Sequence, residues 1–66
     1  MTVKKMYKTL HKAFPNVDIF VIIDGNARWL AIPSTPMRLF GKYKVTNIVS
    51  DYNIENNTPI YFIKVD

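Results

Sequence analysis

Residues 17–32 read VDIFVIIDGNARWLAI, a run in which both alternating sets of positions are apolar. A different period precedes it. Val3, Met6, Tyr7, Leu10, Ala13 and Phe14 recur at the i, i+3, i+4, i+7 spacing of one helical face, with Thr2 placed to cap the first turn. Pro15 and Asn16 end that helix, because a residue preceding proline is pushed out of the α region. The β-branched and aromatic content of residues 17–23 then predicts a strand. Asp24, Gly25 and Asn26 tolerate the positive φ of tight primed turns, so a hairpin returns over residues 27–32. A two-residue loop, the preferred reading, puts Ile19, Val21 and Ile23 on one face with Leu30 and Ile32, and Phe20 and Ile22 on the other with Trp29 and Ala31. A three-residue loop moves Trp29 to the first face.

PSTPMRLFG reads as a connector with one turn of helix, capped by Thr35, opened by Pro36 and stopped by Gly41, from which Met37, Leu39 and Phe40 plug one end of the core. Residues 43–52 form a strand that needs a bulge, since Val45 and Ile48 otherwise fall on opposite faces. NIENNTP turns the chain into a last strand over residues 59–65. There Ile60 and Phe62 alternate with Tyr61, Ile63 and Val65, so both faces are again apolar. The predicted architecture is α+β: one N-terminal helix packed on a four-stranded, mostly antiparallel sheet, in the order α-β-β-short helical turn-β-β, with residues 1–66 as a single domain.

One helix covers one face of such a sheet. The other face then carries Phe20, Ile22, Trp29 and part of the last strand, a contiguous patch of a kind that marks contact with something. Three coverings are open: residues 33–40 folding across as a lid, a second copy of the chain, or another macromolecule gripped by aromatic residues such as Trp29, Tyr52 and Tyr61. Chain length sharpens the question. A chain of 66 residues buries only about 60% of its unfolded surface. Without Cys and with His11 as its one His, it has neither disulfides nor a metal to compensate. A homodimer or a complex with a protein partner fits that shortage.

Charge adds a second candidate surface. Lys4, Lys5, Lys8, Lys12, Arg28, Arg38, Lys42 and Lys44 all precede residue 45, where the only acids are Asp18 and Asp24, whereas Lys64 faces Asp51, Glu55 and Asp66 in the rest. The helix itself has no acid, and Lys4, Lys8 and Lys12 fall one turn apart, with Lys5 and His11 beside them. A solvated face that keeps a small protein soluble explains such a stripe. So does contact with phosphates or with an acidic protein. The candidate partner-binding residues are therefore Lys4, Lys5, Lys8, Lys12 and Arg28, with the aromatic Phe20, Trp29 and Tyr61, an association that would suit single-stranded nucleic acid.

Chemistry is not indicated. Gly25 and Gly41 each fit a turn rather than a phosphate loop, His11 has no carboxylate near it in sequence, and Asp18 and Asp24 lie about 20 Å apart along a strand. No enzyme, cofactor, metal or small-molecule substrate is expected. The N-terminus has no apolar run of the kind a signal peptide or membrane span needs, so a cytoplasmic protein away from membranes is expected, with Asn56 to Thr58 a turn rather than a glycosylation site. In general character, a lysine- and asparagine-rich chain without cysteine that folds as one local α+β unit, it resembles the small proteins encoded by phages and other mobile elements. That resemblance implies a regulator or inhibitor acting by binding, with a protein target ranked ahead of nucleic acid.

Overall fold

The computed structural model describes residues 1–65. The elements run α1 (Val3–Ala13), β1 (Asp18–Ile23), β2 (Asn26–Trp29), α2 (Thr35–Phe40), β3 (Val45–Asn53) and β4 (Thr58–Val65). The α+β architecture and its element order are those expected. Four strands form one mixed sheet in the order β2-β1-β4-β3. β1 pairs antiparallel with β2 and β4 with β3, while β1 and β4 lie side by side in parallel. These central strands are the two that are apolar on both faces, although the helices cover only one of those faces.

The β1–β2 turn has two residues, with Asp24 at φ 50° and Gly25 at φ 80°, and it pairs Phe20 with Trp29 and Val21 with Arg28. Trp29 therefore shares a face with Phe20. β2 is shorter than the expected 27–32. Leu30 still donates its N–H to Ile19, but the Ala31 N–H turns to the Ser34 hydroxyl, which draws the chain out of the sheet. Ile32 consequently does not join Leu30 in the core; it is 50% exposed. The bulge expected before Ile48 is present as a register shift between Val45 and Asn47.

Two details of α2 correct the sequence reading. Its cap is Ser34, not Thr35: the Ser34 hydroxyl accepts from the Met37 N–H at 3.2 Å, so the helix starts one residue earlier and Pro36 sits at its second position. It is also no lid over the far side of the sheet. Met37 joins Val3, Ile19, Val21, Leu30 and Ile63 in the core on the α1 side, and Phe40 packs against that cluster, whereas Leu39 is left exposed. Gly41 ends α2 in ordinary right-handed geometry. Glycine is needed there for close approach, because a Cβ would lie 2.4 Å from the Met37 carbonyl oxygen and 3.6 Å from Lys4 Cβ.

That approach ties the helices together. In the first turn of α1, Val3 and Lys4 donate their N–H groups to the carbonyls of Tyr43 and Gly41, each at 2.9 Å, and Lys5 donates to the Thr2 hydroxyl. Donors that a helix start normally leaves open are thus used within the fold. No acid occupies this turn, and Lys4 and Lys5 oppose the helix dipole. The carbonyls of Gly41 and Tyr43 offset that conflict.

Candidate functional site

Two surfaces merit attention, and they lie on opposite sides of the molecule. α1 covers one face of the sheet with Met6, Tyr7 and Leu10 packed on the core, so Lys4, Lys5, Lys8 and Lys12 point away from the sheet into solvent. Along this outer side runs a pair of grooves. The first, about 570 Å³, is lined by Lys4 on α1, Arg38 on α2 and Lys42 beyond it, together with Ser34, Thr35 and Ile32. The second, about 330 Å³, holds Lys8, Lys12, His11, Tyr7 and, again, Ile32. Ile32 is the shared wall. Among the described residues no carboxylate lines either groove.

The cationic face thus has a defined layout. Lys4, Lys8 and Lys12 stand about 6 Å apart along the helix axis. The close packing of Gly41 on α1 brings Arg38 and Lys42 to the Lys4 end. His11 stacks on Tyr7 with ring centres 5.7 Å apart, so its ring is held by an aromatic neighbour rather than by an acid. Since the backbone donors at the start of α1 are already engaged, an anion on this face would be held by side chains.

The second surface is the uncovered side of the sheet. Strand alternation and the observed pairings arrange it in three rows that cross the strands. The middle row is Trp29, Phe20, Phe62 and Val49, apolar from edge to edge, with Phe20 and Phe62 stacked at 5.4 Å between ring centres. One flanking row holds Asp18, Ile60 and Asp51; the other holds Ala27, Ile22, Lys64 and Asn47. Trp29 is 56% exposed and Val49 39%, and none of the described elements lies across this side.

The sequence-predicted residues therefore separate. Lys4, Lys8 and Lys12 come together on the cationic face, joined by Arg38 and Lys42, and Lys5 is exposed on the same helix outside both grooves. Phe20 and Trp29 come together on the open sheet face. Tyr61 does not join them. It is one residue out of phase with Phe62, lies on the covered face and stacks on Phe14, the residue that caps the end of α1, at 5.8 Å. Arg28 pairs with Val21 and so projects on the helix side of an edge strand, opposite Trp29 and away from both grooves. The alternation thus places Phe20 and Trp29 on the face opposite Arg28, Tyr61 and the helix lysines.

Sequence reading missed Ser34, Thr35 and Ile32 as groove residues, since only the departure of the chain at Ala31 brings them beside α1. It also missed the Asp18, Asp51 and Lys64 rows, which follow from the parallel β1–β4 register. Among the described residues no group of three or more His, Cys, Asp or Glu side chains is placed to hold a metal. No helix among the described residues is long and apolar enough to cross a membrane. Comparison with protein-family models, curated proteins and solved structures finds no match.

Proposed function

We propose that this is a non-enzymatic binding protein whose cationic face, Lys4, Lys8 and Lys12 with Arg38 and Lys42, engages the phosphate backbone of nucleic acid. The observation that carries the reading is the convergence of these five cations from two helices and a connector on grooves that none of the described carboxylates lines. A face made only to be solvated gains nothing from that segregation, and like charges one turn apart slightly weaken the helix that carries them. The separation of the aromatic residues from the cations favours a target read by charge over one gripped by aromatic anchors. It also removes the base-stacking platform, so the expected binding is sequence-independent and accepts duplex and single strands alike.

A protein target, as a small regulator or inhibitor of the phage type would have, is the second reading. Half-exposed Ile32 between the two grooves supports it, because an apolar centre with a polar rim is the usual anatomy of a protein interface.

Fluorescence anisotropy of a labelled duplex, titrated with the protein across a salt series, separates the two. If all five cations contact phosphates, the slope of log affinity against log salt should approach about −4.5 on duplex and about −3.5 on single strands. Replacing Lys4, Lys8 and Lys12 with Gln should flatten the duplex slope to about −2 while leaving the circular dichroism spectrum unchanged. Absence of binding at low salt, or a slope unaltered by the triple substitution, would remove the nucleic-acid reading and direct attention to an acidic protein at the same face.

A further inference from the structure

We infer that the open sheet face is covered by a second copy of this chain, packed face to face about a two-fold axis that runs along the apolar row Trp29, Phe20, Phe62, Val49. The face is self-complementary about that axis. A two-fold lying along the middle row superposes the apolar row on itself and exchanges the flanking rows, so that Asp18 and Asp51 of each copy meet Lys64 of the other. A two-fold along the strands would set the two acidic rows against each other, with Lys64 against Lys64.

The packing has a reason as well as a pattern. Among the described residues only Val3, Ile19, Val21, Leu30, Met37 and Ile63 form the buried core, all on the side that α1 and α2 cover. Phe20, Ile22, Ile60 and Phe62 are half-buried, Phe20 stacking on Phe62, and stacking of two sheets would bury them with Trp29 in a second apolar layer. The cations proposed to meet nucleic acid all lie on the far side and are left free in such a dimer.

Sedimentation velocity from low micromolar to millimolar protein tests the inference, with a second readout in the emission of Trp29, the only tryptophan in the chain. Mass should rise from one copy to two, and the emission should shift to the blue over the same range. Lys64→Glu should weaken association by about tenfold or more, because acidic rows then face each other. Combining it with Asp18→Lys and Asp51→Lys should restore association, since the exchanged rows are again complementary. Trp29→Ser should weaken it without altering the circular dichroism spectrum. A monomer at every concentration, or a dimer insensitive to both Lys64→Glu and Trp29→Ser, would overturn the inference; the second result would place the contact elsewhere, for instance along β3. Neither outcome bears on binding at the cationic face.

Discussion

Whether a large apolar side chain supports the fold depends on which side of the sheet it occupies, and this chain separates the two cases within adjacent pairs. Ile19 is 1% exposed at the centre of the covered side, whereas Trp29, the largest side chain present, is 56% exposed on the open one. Ile19→Val, which removes a single methylene from a close-packed site, should cost about 1 kcal/mol. Trp29→Ala should cost no more than about 1 kcal/mol despite the loss of a whole indole, because most of that ring has no partner in the monomer. Urea unfolding at a concentration where the chain is monomeric checks both, and a loss of about 3 kcal/mol or more at Trp29 would mean that the sheet curls over it. The position of Trp29 was only half legible: Asp24, Gly25 and Asn26 allow a two- or a three-residue loop, which put Trp29 on opposite faces, and the preferred two-residue turn is the one the structure has. That of Tyr61 was not legible. Its strand is apolar on both faces, so alternation within residues 59–65 could not say which set α1 covers.

At the scale of the elements, the helix and strand periods were readable because they are local, and what escaped was tertiary. The parallel β1–β4 pairing depends on a crossover through α2, and nothing within either strand encodes its neighbour. The departure of the chain at Ala31, which makes the grooves, depends on a hydroxyl at Ser34 competing for one N–H. A related device protects the sheet edge. β3 is an outer strand with β4 on one side only, and on its free side the Ile48 and Tyr52 N–H groups donate to the side-chain oxygens of Asn47 and Asp51 at 2.8 and 2.7 Å. Two donors that another strand could use are thereby occupied. Asn47→Ala with Asp51→Ala should free them and shorten the lag before aggregation, followed by light scattering on warming. Asp51→Asn keeps the acceptor while removing the charge, and should leave the lag unchanged.

Across the whole molecule, the two surfaces have consequences for each other. In a dimer joined through the open sheet faces, each cationic face is on an outer side, and the two are separated by both sheets and both α1 helices. They point in opposite directions and cannot lie along one short duplex. A dimer that binds phosphates on each face would instead hold two nucleic-acid segments at once. Energy transfer between two short duplexes carrying different labels should therefore appear on adding the protein and vanish at high salt. Trp29→Ser should abolish the transfer while leaving the anisotropy of either duplex alone responsive to protein, since one cationic face remains intact in the monomer. Transfer that persists in Trp29→Ser would show that one copy contacts both duplexes, through cations outside the two grooves such as Arg28 on β2 or Lys5 on α1. The pair of variants thus separates loss of the phosphate contacts, expected of the Lys4, Lys8 and Lys12 substitutions, from loss of the second copy, expected at Trp29. No single surface reading of a +4 chain of 66 residues predicts both.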